Sequence, residues 1–408
     1  MKFDFDTLVD RSGSGNMKLI ITPECIRKIG GITYSGAEMD FKTAPVIMEA
    51  LREKALGGLY GYTLCDENYL AAVVAWMDRQ RDWQVQRDWI VPTYGTIQSL
   101  STAARAFTRP GDTVIIQPPV YQQYRKVIEL NDRVVALNPL RYARGRYAMD
   151  FAGLEKLMAQ ESARMLVLCN PHNPIAKVWG RADLERVAEL AKRYDVLVFS
   201  DEIFAEVVFP GCAATPFSEI AHAADNCIVS TSLGKAFSFT GFSHANMLIP
   251  NEGIRATFRK QRDIDHYGSI DPFVYAAILA GYREGGAWVD AMTLYVRENA
   301  QIIKTFFAEH LPQVIVVEPE GTFVIWIDWR ALGLDEDALE AFLINEAYLH
   351  LDRGSQYGAE GTGFTRMNIA SPRAEIQKSL DRLLLAAQRR GFAGHYAVTE
   401  VPLAPPSR

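Results

Sequence analysis

Four short runs constrain this chain most: TVIIQ (113–117), MLVLC (165–169), VLVFS (196–200) and CIVST (227–231) are almost wholly apolar and show no in/out alternation. A strand that is apolar on both sides needs cover on both sides, which a parallel sheet between helical layers supplies. Between the second and third runs lies RADLERVAELAKRYD (181–195). Its Leu184, Val187, Ala188, Leu190 and Ala191 fall on one helical face. Strand, amphipathic helix, strand is a βαβ unit, and several in series predict an open α/β domain whose chemistry sits past the carboxyl ends of the strands.

At 408 residues the chain exceeds one simple core, so a large and a smaller domain are expected. The βα alternation runs over 45–290. Beyond it, VRENAQIIKTFFAEHL reads as a helix, VIVVEP and GTFVIWIDW as strands, 335–347 as a helix and TRMNIAS as a last strand. This predicts an α+β unit over 291–395, with residues 1–44 packing alongside it and a loosely ordered tail at 396–408. No repeat or low-complexity block interrupts the pattern.

Composition narrows the function. A formal net charge of −6 disfavours a broad nucleic-acid or anionic-membrane surface. The five cysteines (Cys25, Cys65, Cys169, Cys212, Cys227) are scattered and odd in number, with no Cys-x-x-Cys pair. This argues against a disulfide framework or a metal site and predicts a reducing cytoplasm. No apolar stretch approaches a membrane span, and the acidic start MKFDFDTLVDRSGSG is unlike a signal peptide.

Four loops at predicted strand ends carry chemical handles. In TYGTIQSLSTAARAF (93–107), Gly95 and Thr96 precede a helix carrying Ile97, Leu100, Ala104 and Phe107. Free amides there suit a phosphate, although a glycine before a helix is also a simple turn. In CNPHNPIAKVW (169–179), two Asn-Pro steps force an irregular turn. Either the turn is merely rigid or one Asn amide meets a ligand, and spacing does not choose. In SDEIF (200–204), Asp201 is either a helix cap or a buried carboxylate awaiting a cation. In STSLGKAFSFTGF (230–242), Ser232 and Lys235 follow a buried strand, and Leu233, Phe237 and Phe239 frame the lysine. Most lysines are solvated, but one at a sheet's functional edge is a candidate amine of depressed pKa.

Taken together these loops resemble the fold-type-I enzymes that use pyridoxal 5'-phosphate (PLP), in the aminotransferase class I/II branch and its MalY/PatB cystathionine β-lyase group. The resemblance runs through AEMDFKTAP (37–45), YGYT (60–63), RPGDTVIIQPPVY (109–121), CNPHNP (169–174), SDEI (200–203), TPFSEI (215–220), PEGTFVIWID (319–328) and RMNIASPR (366–373). It implies an aspartate aminotransferase-like fold: a large PLP-binding domain around a mostly parallel sheet of seven strands, plus the smaller α+β domain. It also implies a homodimer with shared active sites.

Residue by residue, the resemblance implies that Lys235 is the Schiff-base lysine and Asp201 the carboxylate paired with the pyridine nitrogen. It makes Asn173 the amide on the ring's phenolic oxygen and Tyr121 the aromatic stacked on the ring. Gly95, Thr96 and Ser232 become phosphate-binding positions, and Tyr62 reaches a phosphate across the dimer. Arg366 becomes the clamp on the substrate carboxylate, with Gly36 and Ala37 beside it. No metal is implied. The implied activity is a C–S β-lyase that cleaves cysteine S-conjugates to thiol, pyruvate and ammonia. An aminotransferase, or a specialised enzyme acting on a modified amino acid, remains open. Three departures stand out. Phe204 replaces a histidine or tyrosine, Ala176 replaces the glycine of Asn-Pro-x-Gly, and YSGAEMDF lacks a tryptophan common near its start.

Overall fold

A computed structural model of the protein describes residues 3–393; the tail expected at 396–408 lies outside the described residues. Seven strands form the central sheet, and each apolar run identified above supplies one of them. In chain order, β1 is Ile90–Thr93, β2 Thr113–Ile116 and β3 Val134–Leu137. A separate hairpin, β4 (Arg141–Ala143) and β5 (Arg146–Ala148), intervenes. Then follow β6 (Ala163–Cys169), β7 (Leu197–Asp201), β8 (Cys227–Thr231) and β9 (Ala245–Leu248). Their order across the sheet is β1-β9-β8-β7-β6-β2-β3. All neighbours are parallel except at β9, which runs antiparallel to both β1 and β8. The mostly parallel sheet is as expected.

β7 and β8 are buried along their whole length, as runs without alternation require. The helix Arg181–Arg193 buries the five residues its spacing nominates. The helix Thr96–Phe107 differs. Leu100 and Ala104 face the core, joined by Ser99, Thr102 and Ala103, while Ile97 turns to a cavity. Small residues make up most of the inner face around Leu100, while Ile97 and Phe107 pack against the core partly buried.

A second sheet of four strands holds β10 (Ile315–Val316), β11 (Val324–Asp328), β12 (Asp352–Arg353) and β13 (Phe364–Asn368) in the order β10-β11-β13-β12, all antiparallel. VIVVEP yields only the two residues of β10, although the Val317 amide still donates to Trp326 O on β11 at 2.9 Å. The helix expected from 296 begins at Gly286 and runs to His310, burying Trp288, Val289 and Met292 in its added turns. The helix expected near 335–347 is Glu336–Ala341, followed by a π-helical turn at Phe342–Glu346. The segment around Tyr34 lies along this sheet. Tyr34 N donates to His350 O (3.0 Å), Asn368 N to Tyr34 O (2.9 Å) and Asp40 N to Ala370 O (2.9 Å). Among the described residues no helix is long and apolar enough to cross a membrane.

Candidate active site

Parallel strands in register end together. Cys169, Asp201 and Ser230 are successive partners across β6, β7 and β8. The loops leaving these ends open onto a cavity of about 550 Å³. Gly95, Thr96, Tyr121, Asn173, Asp201, Ser232 and Lys235 all line it, although they are spread over 141 positions of sequence (95 to 235). The small sheet closes the opposite wall with Arg366 and Asp352, and residues 35–38 pass between the two.

Lys235 sits in the turn after β8. Its Nζ donates to the Ala37 carbonyl at 2.6 Å and lies 5.8 Å from the centroid of the Phe204 ring. Burial drives its pKa down to about 8, helped by the Arg366 charge and opposed by Asp201 and Glu38. An amine of this kind is a nucleophile near neutral pH, as the framing by Leu233, Phe237 and Phe239 suggests.

Asp201, at the end of β7, is buried, and its pKa is pushed up to about 6 by loss of water. The Tyr124 hydroxyl donates to Oδ2 and the Ile203 amide to Oδ1 (3.2 Å), and neither carries a charge. The carboxylate therefore has two neutral donors and no contacting cation, the arrangement that a protonated ring nitrogen would complete.

At the far end of this wall, Gly95 adopts φ 126°, a conformation that L side chains rarely adopt, and the space beside it is open. The first amides of helix Thr96–Phe107 thus face the cavity unobstructed. Thr96 Oγ1 and Ser230 Oγ are 2.8 Å apart, and Ser232 Oγ donates to His244 O at 2.8 Å. Helix-terminal amides and hydroxyls, a buried carboxylate and an amine around one cavity supply the three kinds of partner that a phosphorylated pyridine aldehyde requires. Tyr121 lines the same cavity, its ring edge-on to Tyr124 at 5.7 Å.

Arg366, on β13, is buried. Its Nε donates to Asp352 Oδ2 at 2.8 Å, Nη2 donates to the same oxygen, and Nη1 donates to Asn173 Oδ1 at 2.9 Å. Its guanidinium carbon lies 4.9 Å from the centroid of the Tyr357 ring. Gly36 and Ala37 line the cavity beside it. Tyr62 is placed apart from these residues, 97% exposed and outside the cavity wall.

The departures have structural consequences. Ala176 adopts φ 56°, the left-handed conformation a glycine would enter without strain, and its carbonyl accepts from the Glu320 amide at 2.9 Å. The Phe204 ring is buried edge-on to Phe323 at 5.2 Å, so an apolar face meets Lys235 where a hydroxyl or imidazole would donate.

Sequence reasoning missed Tyr124, Asp352 and Ser35. Tyr124 had a signal, three residues beyond Tyr121 at the start of a helix (Gln123–Glu129), on the same face. Asp352 had none locally; it meets Arg366 only because β12 pairs β13 with these two opposite each other. Met17, Lys18 and Ile21 of the short helix Met17–Ile21 also reach the cavity, with Lys18 held by Asp40 at 2.7 Å.

Comparison with known proteins agrees with this geometry. Residues 33–383 match the family Aminotransferase class I and II. Cystathionine beta-lyase PatB of Bacillus subtilis is 34% identical over 94% of this chain and 99% of its own length. Protein MalY of Escherichia coli is 30% identical over 94% of this chain and 98% of its own. Among solved structures, cystalysin from Treponema denticola, which contains a pyridoxal 5'-phosphate cofactor, superposes with a TM-score of 0.92 at 34% identity. That match covers 96% of this chain and all of cystalysin. The PLP-bound C-S lyase from Staphylococcus hominis superposes with a TM-score of 0.87 at 26% identity, covering 95% of this chain and 98% of that one. The chain belongs to the aminotransferase class I and II family.

Proposed function

From that family membership we propose that the protein is a PLP-dependent C–S β-lyase acting on cysteine S-conjugates. The observation that carries the reading is one cavity holding the half-buried amine of Lys235, the buried carboxylate of Asp201 and the buried guanidinium of Arg366. The names of PatB, MalY and the C-S lyases favour cleavage over amino transfer.

Bound through Lys235, the cofactor would supply an electrophilic carbon from which the substrate amine displaces the lysine, and a ring that accepts the electron pair left at Cα. The rest is the work of the chain. The amides after Gly95, with Thr96 and Ser232, hold the phosphate. Asp201 holds a proton on the ring nitrogen, Tyr121 covers the ring face, and the Asn173 side-chain amide donates to the phenolic oxygen. Arg366 grips the substrate carboxylate and so orients the Cα–H bond. Lys235, freed by the incoming amine and steadied by the Ala37 carbonyl, removes the Cα proton and can return it to the departing sulfur. With water, a cysteine S-conjugate gives thiol, pyruvate and ammonia.

Incubation of the purified protein with cystathionine or S-methylcysteine tests this reading. Thiol and pyruvate should accumulate without added 2-oxo acid. Turnover that requires a 2-oxo acid would make the protein an aminotransferase instead.

The same reading extends to assembly and organisation. Residues 45–290 would form the cofactor domain and 291–395 the small domain, with 1–44 beside it. Two copies would pair through the exposed apolar stretch Leu56, Leu59, Tyr60, Tyr62 and Leu64, bringing Tyr62 to the partner's phosphate. If Tyr62→Phe retains wild-type cofactor affinity, that contact is refuted. A cytoplasmic setting accords with five free cysteines and is testable by fractionation.

A further inference from the structure

Asp352 is placed to do more than neutralise a charge. It is buried on β12 directly opposite Arg366, and its carboxylate is fixed from several sides. Ser35 Oγ donates to Oδ1, the Gly36 amide reaches both oxygens at 3.2 Å, and the Tyr357 hydroxyl donates to Oδ2 at 3.2 Å. Against this fixed acceptor, Arg366 spends its Nε hydrogen and one Nη2 hydrogen, while one Nη1 hydrogen goes to Asn173. A guanidinium has five N–H donors. Three are thus committed to the protein, which leaves one on each terminal nitrogen. With Tyr357 packed on its face, the guanidinium also loses the freedom to tilt.

We propose that Asp352 is a positioning residue. It locks the Arg366 fork so that only an end-on pair of hydrogens remains, shaping the site for a single α-carboxylate and against uncharged carboxyl derivatives. The proposal rests on Arg366 being the carboxylate clamp. An unlocked arginine would still attract anions but would present its donors in several orientations. Discrimination by geometry would then fall while the overall charge of the site rose.

The test uses cofactor-loaded protein and two probes that lack a leaving group at Cβ, L-alanine and L-alaninamide. Dissociation constants are read from the change in cofactor absorbance. Wild type should prefer L-alanine, and Asp352→Asn should narrow that preference by about tenfold, the scale of a charge-assisted hydrogen bond, while the cofactor is retained. On a cysteine S-conjugate the same variant should raise KM by a larger factor than it lowers kcat, a split that general loosening of the fold would not produce. Ser35→Ala, which removes one donor to Asp352, should narrow the preference by roughly two- to threefold and carries the test if Asp352→Asn does not fold. An unchanged preference in Asp352→Asn, or in Ser35→Ala where that variant stands in, overturns the proposal. Arg366→Lys separates the layers. If it leaves the preference intact, Arg366 is not the clamp and the reading beneath fails. If it abolishes the preference while Asp352→Asn does not, only the role of Asp352 fails.

Discussion

The two walls of the cavity are each built around a buried aspartate, and the two titrate in opposite directions. On the large-sheet wall, Asp201 has only neutral donors, and loss of water raises its pKa to about 6. On the small-sheet wall, Asp352 also pays for burial, but Arg366, Ser35 and Gly36 outweigh that cost and hold it below the usual carboxylate range. The first is an unfinished ion pair that awaits a cation from a ligand. The second is finished within the chain and serves to aim its partner. Burial alone therefore does not mark a functional carboxylate; what matters is whether the fold has already supplied its counter-charge.

The largest expected effect lies on the first wall. Lys235→Ala should lower turnover by roughly 10³-fold or more, because nucleophile and base are lost together. It should also remove the absorbance of the covalently held cofactor. A variant that stays yellow through another lysine would break the assignment.

Stability should then separate the two aspartates. Arg366→Ala leaves Asp352 buried without its cation and should cost about 3–5 kcal/mol by urea unfolding. Asp201→Asn in cofactor-free protein should do the reverse. A folded-state pKa raised to about 6 gives stability that is present below the unfolded value near 4 and lost as pH rises through 6. At pH 7 the variant should therefore be the more stable by up to about 2–3 kcal/mol, with the gap closing below pH 4. A pH-independent difference would show that burial does not raise the Asp201 pKa, and a gap of opposite sign would show that Asp201 is already paired.

Lys235 gives a smaller effect, read by mass spectrometry. In cofactor-free protein its acetylation rate should rise with pH to a midpoint near 8 rather than near the ordinary lysine value, since only the neutral amine reacts. The smallest effect is expected at Phe204. Phe204→Tyr offers a donor beside Lys235 and should move the spectroscopic titration of the bound cofactor by about one unit or less. No movement would show that the phenylalanine has little part in tuning.

Legibility follows the same division between the walls. The buried parallel strands were readable because each lacks alternation, and the strand-end rule then located Gly95, Asn173, Asp201, Ser232 and Lys235 without any knowledge of contacts. Helix boundaries were less readable. The helix from Gly286 starts ten residues before the expected 296, since its predecessor, Pro272–Glu284, ends only at Gly285 and Trp288 already packs inward. On the second wall, Arg366 was found through family resemblance, whereas Asp352 and Ser35 were not found at all.

The sequence by itself determined the elements and the chemistry carried by loops that directly follow them, because apolar patterning and backbone direction are local properties of the chain. Tertiary structure decided which carboxylate received a counter-charge, how Arg366 is oriented, and that residues 35–38 would pass between the walls with Ala37 against Lys235. Those outcomes depend on antiparallel register and on contacts between residues more than 300 positions apart, 317 between Ser35 and Asp352 and 332 between Gly36 and Asn368. No local pattern encodes such separations, because the free energy that selects them comes from packing the whole chain at once.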